Sequence, residues 1–413
     1  MSPPLRVLLL ASAQSYRSPA FLAAAERLGV EVVGGRDVPL PLLASASGLA
    51  LDYRDLPRSV AAIVAFAERR PLGAVMGVDD SATVLAAAAA RALGLPHDGP
   101  DAARAARDKR VMRERFSAAG LPSPRHRAFT TADDPRRIAA EVSYPCVIKP
   151  TSLGASRGVM RADDPEQLVA RFERLCRLLR TETCDELLVE DYVPGREVAL
   201  EGLLDGGGLR VLALFDKPDP MEGPFFEETL LVTPSRLPAA AREAIADTAR
   251  RAAHALGLRR GPIHAELRFG AAGPQLIELA ARTIGGLCSR TLRFQGAGSL
   301  EELVLRKALG LDTSSVVPEP GASGVLMVPI PGAGLLRGVE GIEEARAETG
   351  VEDVEITARI GYPLVPLPEG DRYLGFVFAR GPDPDAVERS LRAAHARLRF
   401  RIAPDLPVAA GGR

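Results

Sequence analysis

Four lysines, Lys109, Lys149, Lys217 and Lys307, stand among 48 arginines in this chain. Guanidinium is a rigid planar fork, whereas an ammonium is a compact charge that can follow a phosphate from several directions. The surviving lysines therefore mark either positions that arginine cannot fill or the residue of a codon bias. Lys149 has the more telling setting. It ends the apolar run YPCVI and is followed by TSLGASRG, 151 to 158. Gly154 and Gly158 let backbone N–H groups approach an anion, and Ser152 and Ser156 bring hydroxyls. Such a loop reads as a phosphate cradle with a lysine at its base, or as an ordinary surface turn. It is not a P-loop, because GxxxxGK[ST] is absent.

Two further stretches carry chemistry. In ELLVEDYVPGREVALEGLL, 186 to 204, an apolar strand runs into Glu190, Asp191, Tyr192 and Val193, then a Pro-Gly turn and a strand opening at Glu197. Such a linker offers backbone donors and acceptors to a flat base, with Glu197 for ribose hydroxyls. Taken alone it reads equally as a hairpin with solvated acids. In GPIHAELRFGAAGPQLIELAARTIGG, 261 to 286, period two puts His264, Glu266 and Arg268 on one strand face, and the GAAG turn returns Glu278 beside Glu266. Neighbouring carboxylates repel unless a cation lies between them. Paired with a phosphate loop upstream, they suit magnesium. His264 has two readings, a base for an amine or a hydrogen-bonded structural histidine. Arg290 and Arg293 also have two, a bidentate grip on a substrate carboxylate or solvated side chains.

The elements that must position these residues follow from periodicity. Apolar strands at 7–11, 30–33 and 74–78 alternate with amphipathic helices at 18–28, 57–69 and 80–93, which predicts a parallel sheet covered by helices. The first strand-to-helix turn, ASAQSYRSP, has no glycine, so a dinucleotide fingerprint is missing. One helix is expected over 101–119, closed by Gly120 and carrying Lys109. Strands follow at 145–149, 186–190, 197–204, 209–215, 263–269 and 275–279, with helices at 164–179, 238–256 and 299–309. Lys307, on the last of these, reads as solvated. VVPEPGASG, 316–324, reads as a linker into a final unit closed by a helix over 384–398.

Composition narrows the classes. Acidic and basic residues nearly cancel, 53 against 52, with no basic stripe, which argues against nucleic acid. No apolar run approaches a membrane span, so a cytoplasmic protein without a membrane partner is expected. Cys146, Cys176, Cys184 and Cys288 lack zinc or disulfide spacing and read as structural thiols. The chain has no asparagine.

Together these motifs resemble the ATP-grasp superfamily, over nearly the whole chain. The resemblance implies an α/β and α+β architecture: an N-terminal parallel α/β domain over 1–100, a two-lobed ATP-grasp domain over 101–315, and a C-terminal α+β domain over 316–413. The phosphate lobe would occupy about 125–190 and the metal-binding lobe about 191–315. It further implies that ATP is used with Mg²⁺, Mn²⁺ being an alternative ion. Lys109 and Lys149 would hold phosphates under the loop Ser152 to Gly158, Glu190 to Val193 would contact adenine, and Glu197 would bind ribose. Glu266 and Glu278 would ligate the metal, and Arg282, with the Gly285–Gly286 backbone, would face the reacting acyl group. The family ending Glu-x-Asn-x-Arg is here Glu278-Leu-Ala280-Ala-Arg282, without the asparagine ligand. ELAARTIGG, DDSATVLAAAAARALGLP, FDKPDP with Lys217, GPFFEE with Glu228 as a substrate-side residue, and PLPEGDRYLGFVFA are similar to the branch of L-amino acid ligases. The implied activity is amide or peptide bond formation between a small carboxylate and an amine, amino acids among them, through an acyl phosphate with release of ADP and phosphate. A homodimer is the oligomer the resemblance leans toward. The alternatives are a ligase of another branch, of the carboxylase or purine-pathway type, and a nucleotide-binding protein without turnover.

Overall fold

The computed structural model describes residues 5–12, 15–37, 48–182 and 184–404. They fall into two compact units, one drawn from residues 1–124, 193–214 and 237–320 and the other from 125–192, 215–236 and 321–413.

In the first unit, Arg6–Ala11 pairs in parallel with Glu31–Arg36 on one side and Ala74–Gly77 on the other, and Gly48–Ala50 extends the sheet beyond Glu31–Arg36. Val7 to Ala11 are all buried, the continuous apolar pattern of a strand covered on both faces. Helices Ser18–Leu28, Leu56–Arg69 and Asp80–Ala92 follow the strands as the sequence predicts. Gly77 ends its strand where a Cβ would lie 2.9 Å from the backbone of Thr83, so only glycine lets the Asp80–Ala92 helix start so close to the strand. Gly48–Ala50 has no counterpart in the sequence reading, because three residues are too few to show a period.

The single helix expected over 101–119 is two, Pro100–Arg107 and Lys109–Ala118. Asp108 between them is extended (φ −92°, ψ 111°), and its carboxylate accepts from the N–H groups of Arg110 and Val111. An aspartate that caps a new helix start competes with continuation of the old one. Lys109 thereby becomes the first residue of the second helix.

The same unit holds an antiparallel group in which Gly261–Gly270 lies between Arg196–Asp205 and Gly273–Ala280. One face, with Ile263, Ala265, Leu267 and Leu279, packs on Ile245, Ala249, Ala252 and Leu256 of the helix Ala239–Leu256. Each of the isoleucine and leucine side chains contributes about 1.5–3 kcal/mol on burial, the alanines less. That one-sided burial fixes the register and turns His264, Glu266 and Arg268 to the other face.

In the second unit, antiparallel strands lie in the order His126–Thr130, Glu186–Asp191, Cys146–Pro150, Met160–Ala162. The helix Pro165–Leu179 covers them through Leu168, Phe172 and Leu175. A second antiparallel group orders Leu230–Thr233, Ala322–Val328, Gly375–Gly381 and Val351–Ile356, backed by Val387, Leu391 and Ala394 of the helix Pro384–Arg397. The expected linker 316–324 is shorter than read, since Ala322, Ser323 and Gly324 are buried members of a strand. The architecture is mixed α/β and α+β. Among the described residues no helix is long and apolar enough to cross a membrane.

Candidate functional site

Lys149 leaves its strand buried, and its ammonium lies 2.5 Å from the Glu190 carboxylate, both side chains being 5% exposed or less. The two residues sit on neighbouring strands, where Lys149 pairs with Leu188 and Val147 with Glu190. Glu190 is thus tied in side chain to Lys149 and in backbone to the sheet centre. The linker after it is also held from within: the Asp191 N–H donates to the Arg125 carbonyl, and the Tyr192 N–H to that of Pro145. The Tyr192 ring stacks with Phe226 at 6.5 Å and carries the Arg161 guanidinium 4.2 Å from its centroid. Burial pushes the Cys146 thiol up to about 12, as an inert structural cysteine requires.

The loop after Lys149 corrects one expectation. The Gly158 N–H is not offered to an anion, because it donates to the Pro368 carbonyl at 2.9 Å. Glycine is required there by φ +75° and by Leu175, Leu178 and Pro150, which a Cβ would meet at 2.9–3.1 Å. Arg157 donates to the Glu369 carbonyl and pairs with Glu182 at 2.8 Å, so the loop's end is pinned. Its tip, by contrast, is strained: Ala155 and Ser156 both have φ +55°, unusual for residues with a Cβ. Gly154 at the tip is exposed, and Ser152 and Ser156 are half-buried. Also in this unit, buried Lys217 is ion-paired with Glu228.

In the first unit, Glu266 stands directly opposite Glu278 in the strand ladder. Lys109, buried, brings its ammonium 3.2 Å from Glu278, whose side chain is 32% exposed. Glu197, also buried, accepts from Arg268 Nε at 2.9 Å, and Arg268 reaches the Val193 carbonyl at 2.8 Å. Arg268 was visible in the period-two face but carried no assigned role. His264 resolves toward its structural reading. Its Nδ1 lies 2.5 Å from Glu201 and its Nε2 3.4 Å from Glu266. Burial opposes the charge, but Glu201 and then Glu266 outweigh it and raise the imidazole to about 9. Both ring nitrogens thus face carboxylates, an arrangement that suits a structural histidine.

Beyond Ala280 the chain enters the segment 281–286, and three side chains from distant elements hold it. Asp80 pairs with Arg282 at 2.8 Å. Burial alone would lower the Arg282 guanidinium, but Asp80, with Glu278 and Glu201 behind it, holds it above its usual range. Arg17, buried, donates to the Thr283 hydroxyl and to the Val78 carbonyl. The second oxygen of Glu201 accepts from the Ile284 N–H at 3.1 Å. Gly286 then turns with φ +59°, and Cys288–Thr291 forms a short 3₁₀ helix. Arg17, Asp80 and Glu201 were all missed. The signal for the first two was position, since both lie just beyond carboxyl ends of parallel strands, where α/β sheets place their sites. Arg290 and Arg293 follow on the same unit with exposed side chains. Lys307 is not simply solvated; it pairs with Asp205 at 2.7 Å and is 24% exposed.

Residues 142–291 match the family model described as ATP-grasp domain, 22–97 the ATP-grasp N-terminal domain, and 326–403 the L-amino acid ligase C-terminal domain 2. An alanine–anticapsin ligase of Bacillus subtilis (strain 168) is 32% identical over 48% of this chain and 46% of its own length. A D-alanine–D-alanine ligase of Aromatoleum aromaticum is 30% identical over 54% of this chain and 69% of its own. The chain therefore spans about half the length of the anticapsin ligase it matches. Among solved structures, an L-amino acid ligase from Bacillus licheniformis superposes with TM-score 0.82 at 26% identity, covering 96% of this chain and 98% of that one. The chain belongs to the ATP-grasp family, on its L-amino acid ligase-like side.

Proposed function

We propose that this chain is an ATP-dependent carboxylate–amine ligase that forms an amide or peptide bond, with amino acids as substrates. The observation that carries the proposal is the row Glu278, Ala280, Arg282 leaving one strand with Glu266 opposite, Lys109 on Glu278 and Asp80 on Arg282. It supplies hard oxygen ligands from the strand pair and an arginine two residues past the strand's end. The named activities of the similar ligases, each joining an amino acid to a second molecule, support the same reading.

In this reading Glu266 and Glu278 hold Mg²⁺. The donor set fits it: two carboxylates side by side, one of them a third exposed, leaving room for retained waters where the family's asparagine is Ala280. When bound, the ion neutralises phosphate charge. Lys109 and Lys149 are the phosphate cations, and Glu197, fixed by Arg268, receives ribose hydroxyls. A carboxylate oxygen of the first substrate forms a bond to the γ-phosphorus while the bond to ADP breaks. The amine nitrogen of the second substrate then bonds to the acyl carbon, phosphate departs, and the amine gives up its proton. The protein's contribution is position and fixed countercharge. Arg282 and the N–H groups at Gly285–Gly286 meet the oxyanion; Asp80, Arg17 and Glu201 keep that segment in place. Lys217, Glu228, Arg290 and Arg293 are left for substrate recognition.

The test is release of ADP and phosphate from ATP and Mg²⁺ in the presence of pooled L-amino acids, with mass spectrometry of the product. A new amide with stoichiometric ADP supports the proposal. AMP with pyrophosphate, or no acceptor dependence, refutes it.

A further inference from the structure

Within the first unit, away from the acid pair, the strand Ala74–Gly77, the start of the strand Gly261–Gly270 and the helix Leu300–Ala308 enclose a cavity of about 310 Å³. Its walls are apolar: Val75, Ala86, Ala103, Leu258, Val304 and Ala308. Of these, Val75, Leu258 and Val304 are 3% exposed or less, so the walls are set by the core and not by mobile surface chains. A cavity at the lower end of the roughly 300–1,000 Å³ range, apolar within and polar at few points, has the character of a small-ligand pocket.

The polar side chains of the lining are Thr83, His97, Asp98, Asp205, Arg260 and Lys307, two acids and two bases among them. Lys307 is matched by Asp205 at 2.7 Å. Asp98 caps the backbone, accepting from the N–H groups of Arg259 and Arg260 at 2.9 and 3.0 Å. The Arg260 side chain is exposed and has no acceptor among the described residues. A planar guanidinium at the mouth of an apolar pocket is suited to a carboxylate. We infer that this cavity binds a small carboxylate with an apolar, branched body of amino-acid size, its head on Arg260 and its body among Val75, Leu258 and Val304. The site bears on function through its walls. Ala281 adjoins Arg282, and Gly77 lies three residues before Asp80, so an occupant touches both segments that carry the Arg282–Asp80 pair. This coupling rests on the proposed ligase activity; binding itself does not.

The experiment is calorimetric titration of the full chain, free of nucleotide, with 4-methylpentanoate, L-leucine and, as the uncharged control, 4-methylpentan-1-ol. One equivalent of 4-methylpentanoate should bind, with the alcohol at least about tenfold weaker, a factor worth 1.4 kcal/mol. Equal or tighter binding of leucine identifies an amino acid as the occupant; weaker binding identifies a simple carboxylate. Val304→Phe and, independently, Ala308→Leu should abolish binding by filling the cavity, with thermal unfolding showing that each variant folds. Arg260→Ala should weaken it about tenfold, and Glu278→Ala should leave it unchanged. No binding of any probe, or binding that survives both filling variants, or loss in Glu278→Ala alone, would overturn the assignment. The last outcome would place the probe in the ligase site, leaving the proposed activity standing.

Discussion

Two buried lysines with carboxylate partners, one in each unit, differ in the exposure of the partner. Lys149 and Glu190 are both sealed from solvent, at 5% and 4% exposure. Lys109 is equally sealed, but its partner Glu278 is 32% exposed. In the first pair both charges have lost their water, so removing one takes an ion-pair partner from a charge that cannot rehydrate. In the second, the acid keeps an open side and can take a further cation without first giving up the lysine. The comparison separates two tasks that sequence alone merges: Glu190 holds a lysine still, whereas Glu278 keeps the open side that the proposed metal site needs.

The largest effect expected from this contrast is on turnover. Glu278→Ala removes a carboxylate whose partner across the ladder cannot replace it, and ADP release should fall by at least about 10³-fold, beyond what loss of a single oxyanion donor costs. Activity within tenfold of the parent would remove Glu278 from the metal set. Next comes stability. Lys149→Met removes the ion-pair partner of a buried carboxylate and should cost about 3–5 kcal/mol in urea unfolding. Lys109→Met should cost about 1 kcal/mol, because Glu278 can rehydrate. Equal losses would erase the distinction drawn between the two pairs. A further effect is that of pH on the metal-free chain. The His264 pKa is raised from 6.5 to about 9 by Glu201 and Glu266 against the opposing effect of burial. Stability from that raised pKa is fully present below pH 6.5 and is lost as pH rises through about 9, on the order of 3 kcal/mol. Urea unfolding between pH 6 and 10 should show this decline in the parent and not in His264→Gln.

Much of the scaffold was legible because its signals are local. Period two in IHAELRF named the face shared by His264, Glu266 and Arg268, and the GAAG turn placed Glu278 opposite Glu266. Burial on a single helix, Ala239–Leu256, is what made that alternation reliable. The helix break at Asp108 was hidden, since Ala- and Arg-rich residues on both sides favour helix and only the capping hydrogen bonds reveal the stop. The anchors of the 281–286 segment were hidden for a different reason. Arg17 reaches Thr283 from 266 residues away, and Glu201 reaches Ile284 from 83. Nothing in the local pattern of either residue shows a partner so remote. The Gly158 reading failed similarly, because its N–H is taken by Pro368, more than two hundred residues downstream.

The central claim is that a substrate carboxylate oxygen is joined to the γ-phosphorus before the amine arrives. It is tested most directly with an amino acid labelled with ¹⁸O in its carboxylate, supplied with ATP, Mg²⁺ and a second amino acid. One ¹⁸O per turnover should appear in inorganic phosphate, carried there when the amine displaces it. Phosphate free of label, or label recovered in AMP, would contradict the account.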